Sequence, residues 1–137
     1  MKKKLQILIP TIILLSAFVV WFYVFQYSKT HHRNVQSEVS INVSAIQLVR
    51  EYEANEKVAN GKYLNKAIEI KGEVLKWGKD QSGNKTVTLK TGDAFANVFC
   101  TFKPGEAVAD NEKTITIKGV CNGFLSDVVL NDAVIIH

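Results

Sequence analysis

The sequence predicts a mainly β protein: a five-stranded Greek-key barrel preceded by an amphipathic α-helix, with one transmembrane helix at the N-terminus. Three observations carry this. Residues 5–25 contain no charged side chain. From residue 67 onward apolar and polar residues alternate with a period of two, the spacing of a half-buried strand. Glycine, asparagine and aspartate interrupt that stretch often enough to keep the strands short and the sheet bent.

The uncharged run comes first. About 20 residues at 1.5 Å rise span the roughly 30 Å hydrocarbon core. Lys2, Lys3 and Lys4 precede it, which places residues 1–4 in the cytoplasm by the positive-inside rule. Trp21, Phe22, Tyr23, Phe25 and Tyr27 gather at the far end, where amphipathic rings prefer the headgroup level. A cleavable signal would have a shorter apolar region and small residues at its end. Residues 5–27 therefore read as an uncleaved anchor in the lipid bilayer, and no cysteine lies near the run to make it a lipoprotein signal. Residues 28–38 are polar and read as a linker on the outer side. His31 and His32 within it are adjacent and do not converge as metal ligands do.

Charge divides the chain at the same place. Residues 2–33 carry five Lys/Arg and no acid, whereas residues 34–137 carry 12 Lys/Arg and 13 Asp/Glu. The formal +4 belongs to the N-terminus, so the remainder lacks the electrostatic signature of a nucleic-acid binder. Hydrophobic residues at 47% and charged residues at 22% exclude a disordered or collagen-like chain.

Residues 39–137 are enough for one modest core. Ser44 is a helix N-cap with Gln47 at capping-box spacing. An amphipathic helix is expected over 45–60, with Ile46, Val49, Tyr52, Leu48 and Val58 apolar and Gly61 as its stop. Strands follow at about 67–77, 85–90, 94–102, 114–123 and 127–136. Gly72 marks a bend, Gly119 and Gly123 punctuate the fourth strand, and Asn131-Asp132 kinks the fifth. Closing such a sheet removes its exposed edges. The five-stranded solution of this size is the OB-fold; an SH3-like barrel or an open sheet with one helix stays open on composition alone.

Several segments together resemble a known pattern. They are Asn55-Glu56 with Ala59, Lys62-Tyr63, Ile70-Lys71-Gly72-Glu73-Val74, Val98-Phe99-Cys100-Thr101-Phe102 and Ile115 to Gly123. Over roughly residues 44–136 the chain resembles the tRNA_anti-like family, small bacterial OB-fold domains found behind a signal or anchor sequence. The resemblance implies the fold. It implies neither a tRNA ligand nor a reaction, and brings no catalytic residues to carry over.

Cys100 and Cys121 are the only cysteines, and both lie in the part expected to be exported. Each shares strand parity with apolar residues, so both are expected inside. An even count in an oxidising compartment makes them a disulfide candidate, worth about 3 kcal/mol for a loop of about 20 residues. Two buried free thiols are the alternative.

No G-x-S-x-G, H-E-x-x-H, Walker A or G-x-G-x-x-G occurs. Histidine is confined to residues 31, 32 and 137, which leaves little material for acid–base catalysis. The expectation is a non-enzyme with no cofactor and no metal site. OB-folds bind through the face of their second and third strands. On that basis Trp77, Phe95, Phe99 and Lys90 are the candidate ligand-binding residues, with Lys85 as a further cation. The expected function is a single-pass membrane-anchored binding module. Its domain is periplasmic or extracellular, and its partner is an envelope protein, peptide or saccharide. A nucleic-acid-binding domain and a structural accessory of an envelope complex are the alternatives. Nucleic acid is the less expected partner, given the domain's charge.

Overall fold

The computed structural model describes residues 2–30, 33–93 and 95–137, with side chains omitted at 2–7 and 27–30. The solvated-linker reading of His31 and His32 lies outside the described residues. The chain forms two units, residues 1–34 and 35–137.

The first unit is helix α1, Lys2–Thr30. Within it Leu8–Gln26 is long and apolar enough to cross a membrane. Phe18, Trp21, Phe22 and Phe25 recur at helical spacing and form one aromatic ridge, with ring centroids 5.2–6.5 Å apart.

The second unit begins with a single 3-10 turn at Val35–Ser37. Then come β1 (Ile41–Ser44), α2 (Ala45–Ala54), α3 (Glu56–Tyr63), β2 (Ala67–Lys79), β3 (Lys85–Lys90), β4 (Val98–Phe102), β5 (Thr114–Phe124) and β6 (Val128–Ile135). β2 pairs with β3, β3 with β4, β4 with β6, β6 with β5, and β5 returns to β2. Numbered as five barrel strands, that circuit is 1-2-3-5-4-1. The one parallel contact in it joins β4 to β6. This is the five-stranded barrel expected from the alternation, closed and with the OB order that the resemblance implied.

One long strand makes closure possible. β2 pairs with β5 along Ala67–Glu73 and with β3 along Glu73–Lys79. The exchange of partners falls beside Gly72, where a Cβ would lie 3.1 Å from Leu89 Cδ1 and 3.3 Å from Ala45 Cβ. The glycine thus permits close approach at the bend. The bulge itself is at Leu75, between the pairs Val74–Leu89 and Lys76–Thr88. β5 and β6 slip register around Gly119 and before Gly123, as their punctuation suggested. Asp132 at φ 51° supplies the kink in β6.

Several expected boundaries change. The helix expected over 45–60 is two helices. Asn55 is extended (φ −163°, ψ 98°); its N–H bonds Glu51 O and its side chain accepts from Val58 N–H. Asparagine competes with helical backbone in this way, so one residue ends α2 and caps α3. Ser44 does cap α2, accepting from Gln47 N–H at 3.2 Å. Gly61 is not the stop: α3 runs through it to Tyr63, and Asn65 takes the left-handed conformation. The buried face is Ala45, Leu48, Val49 and Tyr52, while Ile46 and Val58 are exposed. β1 was not foreseen. It lies parallel to β2, Ile41 opposite Ile68. The strand expected over 94–102 begins only at Val98, because Asp93 and Asp127 hold the N–H groups of Phe95 and Asn97 in a turn.

The core is sealed at both ends. At the end where β3 and β5 finish, Leu48, Val49, Tyr52, Ala59 and Tyr63 join Ile68, Ile70, Leu89, Ile117 and Leu130. At the other end Trp77 stacks on Phe102, with centroids 6.2 Å apart. There Lys85 also holds the 103–113 loop, through the Val108 carbonyl and the Asp110 carboxylate.

A polar clamp ties α2 to α3. Glu51 accepts from Lys62 Nζ at 2.8 Å and from the Tyr63 hydroxyl at 2.9 Å. The Lys62 ammonium, with help from Gln47, holds the Glu51 carboxyl below its usual pKa. Its stabilisation is therefore present above the unfolded value of about 4.3 and lost as pH falls through the folded one. Thermal unfolding of wild type should lose stability on acidification through that window. Glu51→Gln should flatten that part of the profile. The effect is modest because both partners meet solvent.

Candidate functional site

The bulge at Leu75 determines which β2 side chains face outward. Beyond it Trp77 pairs with inward Val87, so Lys76 and Gly78 face solvent. Cross-strand partners share a face, which builds two outward rows. Lys76 stands beside Thr88, Thr88 beside Phe99, and Phe99 beside Val129. Gly78 stands beside Thr86, and Thr86 beside Thr101.

These rows line an open cavity of about 200 Å³, formed by Lys76, Trp77, Gly78, Lys79, Thr86, Thr88 and Phe99. Gly78 leaves its floor open: a Cβ there would sit 3.0 Å from the Thr86 hydroxyl oxygen. No carboxylate lines it. No ion pair engages the ammonium groups of Lys76 or Lys79 among the described residues. Several of the barrel's carboxylates are used elsewhere, while Glu73 stands on the same outer face opposite Lys90, one pair beyond the cavity. Asp80, Asp93 and Asp127 accept backbone N–H groups, as does Glu106 from Ile135. Asp110 takes Lys85. The face is locally cationic although the unit as a whole is not.

Of the candidates from sequence, Trp77 and Phe99 come together at this cavity. Trp77 is turned inward, pairs with Val87 and stacks on Phe102, while Phe99 is half-buried on the outer face. Lys90 lies on the same face, one pair further along opposite Glu73, and is exposed. Phe95 is not on a strand; it stands in the loop before β4, 89% exposed. Lys85 is committed to the 103–113 loop and is no free cation. Sequence reading missed Lys76, Lys79, Thr86 and Thr88. Thr86-Val87-Thr88-Leu89 carried the signal, since its alternation already puts both threonines on the outer face, where Thr88 is half-buried and Thr86 is buried.

A second cavity of about 260 Å³ lies between α2 and the turn after β3, lined by Ile46, Val49, Arg50, Glu53, Thr91, Gly92 and Asp93. It mixes one cation with two carboxylates and holds no aromatic ring, so it selects neither charge nor a planar group.

Both cysteines are inward and fully buried, as expected, but they are free thiols. The disulfide candidate Cys100–Cys121 is corrected by register. Each is the partner of Leu130, one from β4 and one from β5. Strands are about 4.8 Å apart, so around a closed five-stranded circuit β6 separates the two Cα atoms by about 8 Å, beyond the roughly 7 Å a bridge allows. Cys121 Sγ instead meets the Tyr52 hydroxyl at 3.3 Å. Burial, reinforced by the neighbouring Cys121, pushes the Cys100 thiol up. Burial likewise pushes the Tyr52 phenol up, before its bond to Cys121. Neither thiol should alkylate in the folded chain, and both should alkylate after denaturation without reductant. A mass showing none in the denatured state would contradict this.

A family model described as tRNA_anti-like matches residues 1–134. Among solved structures, a Klebsiella pneumoniae protein described as a "putative nucleic acid-binding lipoprotein" superposes with a TM-score of 0.57 at 17% identity. The match covers 72% of this chain and 92% of that one. At that identity it shows a shared fold. No curated protein matches the chain.

Proposed function

The chain belongs to the tRNA_anti-like family, and from that premise we propose that it is a membrane-tethered, non-catalytic binding module whose outer β2–β3–β4 face holds a linear anionic ligand. The observation that carries the reading is the pair of unpaired ammonium groups, Lys76 and Lys79, beside the Phe99 ring on an open sheet face. Lysines neutralise anionic groups along a chain, threonine hydroxyls and Gly78 admit its backbone closely, and the ring takes a planar unit. The lining offers no carboxylate or imidazole to move a proton, which supports binding without catalysis. The apolar run of α1, with Lys2, Lys3 and Lys4 ahead of it, holds the module at the bilayer with the barrel on the outer side. There an anionic saccharide of the envelope is the natural ligand.

A second reading, single-stranded nucleic acid, is favoured by the name given to the Klebsiella protein of the same fold and by the ring beside two cations. Fluorescence anisotropy tests both, using the full chain in nanodiscs of neutral lipid. Labelled uronate oligosaccharide and single-stranded oligonucleotide are each titrated at about 50 and 200 mM salt. Engaging Lys76, Lys79 and Lys90, which shares their face, predicts a log–log salt slope of about −2 for the oligonucleotide, at about 0.7 per phosphate. Saccharide binding supports the first reading and oligonucleotide binding alone the second. No binding of either, weaker than about 10⁻⁴ M, overturns the proposal.

A further inference from the structure

Among the described residues three polar ones are buried: Thr86, Thr91 and Lys118. Two of them have their polar groups engaged. Thr91 Oγ1 donates to the Ala96 carbonyl, and the Lys118 ammonium donates to the carbonyls of Gln36 and Glu38. Thr86 is 5% exposed, yet its hydroxyl has no hydrogen-bond partner among the described residues. Buried polar groups are nearly always paired, so an exception calls for a reason. The oxygen is not sealed in. Among the described residues the polar side-chain atom that is both unpartnered and closed off from solvent is Asn60 Oδ1. Thr86 lines the outer cavity, and its hydroxyl opens there.

The glycine across from it is equally unexplained by the fold. Glycine inside a strand weakens it unless a bend, a bulge or a close approach needs the space. Gly72 packs against Leu89 and Ala45, Gly119 packs against the Asn131 carbonyl and Leu130, and Gly123 has φ 103°. Gly78 pairs with Thr86 and has no positive φ. A Cβ there would meet one heavy atom within 4 Å, the Thr86 hydroxyl oxygen at 3.0 Å. The missing side chain therefore makes room for nothing in the chain itself. What it does is uncover that hydroxyl.

We propose that Gly78 and Thr86 form a notch that reads a ring hydroxyl of the ligand, and that the ligand is an anionic saccharide with free hydroxyls. This selectivity rests on the reading of the β2–β3–β4 face as a binding face, and names what that face selects. Lys76 and Lys79 line the same cavity, but a lysine is a point charge and does not tell one anion from another. A threonine hydroxyl both donates and accepts, as a sugar hydroxyl does. A carboxylate or phosphate oxygen only accepts, which leaves the threonine oxygen unmatched. The notch is shallow, since a single carbon at residue 78 would already crowd the hydroxyl. It admits a hydroxyl and refuses an ester in its place. A site built to bond a ligand hydroxyl discriminates against the analogue that lacks it.

Two measurements on the full chain in nanodiscs of neutral lipid test the notch. The first is thermal unfolding without ligand. Thr86→Val keeps the β-branched shape and removes a hydroxyl that bonds nothing in the chain, so Tm should stay the same or rise. A fall of several degrees would show that the hydroxyl supports the fold, and would overturn the notch. The second is fluorescence anisotropy with a labelled uronate oligosaccharide and with the same oligosaccharide acetylated at its ring hydroxyls. Thr86→Val should weaken binding of the free form about 3–10-fold, the effect of one neutral hydrogen bond. Its salt dependence should not change, because no charge is removed. Wild type should bind the acetylated form more weakly than the free form, and Thr86→Val should bring no further loss there. Gly78→Ala, which the backbone admits, should weaken the free form by a similar factor and add little to Thr86→Val. Equal affinity of wild type and both variants, or an equal Thr86→Val loss on the acetylated form, overturns the notch and leaves the binding face standing. Binding of neither form by wild type defeats the face itself, and the notch with it. A Thr86→Val loss on RNA and not on DNA, with no saccharide bound, overturns the saccharide in favour of a ribose 2′-hydroxyl.

Discussion

Replacing Leu48 with alanine is expected to lower the stability of the barrel unit by about 2–5 kcal/mol, the range for a fully buried leucine whose site cannot collapse. Leu48 has no exposed surface and sits in the main cluster with Tyr52 and Tyr63. Its neighbours come from two helices and from strands that are fixed by barrel closure, so little can move in to fill the space. Ile46→Ala, two residues away on the same helix, should change stability by no more than about 0.5 kcal/mol, because Ile46 is 44% exposed. Thermal unfolding of the full chain in mild detergent, followed by near-ultraviolet circular dichroism, distinguishes them. Equal losses at the two positions would mean that α2 does not seal the barrel end through the face described.

The second large effect concerns the ligand face. Lys76→Glu with Lys79→Glu should weaken binding of an anionic oligomer at least tenfold. For an oligonucleotide it should make the salt slope about 1.4 units shallower, two contacts at about 0.7 each. Lys57→Glu in α3 is the control, an exposed lysine away from the cavity. It should leave binding within twofold. The comparison matters because the unit carries slightly more acid than base overall. If net charge governed binding, each substitution would act in proportion to its charge and position would not matter. Similar losses per charge at both locations would contradict a localised site.

The barrel was legible because period-two alternation is imposed by the pleat and survives in β3, in β4 and at the start of β5. Val87 and Leu89 point inward, Thr86 and Thr88 outward, and Ile115 and Ile117 repeat the pattern. The OB topology was anticipated through the family resemblance as well as through strand number. Most of the features that stayed hidden depend on a contact between distant residues; the Asn55 cap is the local exception. A bulge at Leu75 reverses the facing of everything after it, so Lys76 joins the site and Trp77 turns inward. Nothing local to Leu75 announces it. Asn55 reads as an ordinary helical position until its side chain is seen to cap α3. β1 is only four residues long and takes its form from pairing with β2. The inward facing of both cysteines was correct, yet parity cannot say that β6 passes between them. The polar composition of residues 35–38 suggested solvent, whereas the Lys118 ammonium, some 80 residues away in sequence, collects their carbonyls.

The site among the outer strands is tested most directly by amide chemical shifts of the isotopically labelled full chain in nanodiscs, recorded while an anionic oligomer is added. Residues 76–79, 86–88 and 99–101 should shift together and saturate at one concentration, with the turn after β3 and helix α2 unmoved. Shifts centred instead on Arg50, Glu53 and Thr91–Asp93, or none anywhere at saturating oligomer, would contradict it.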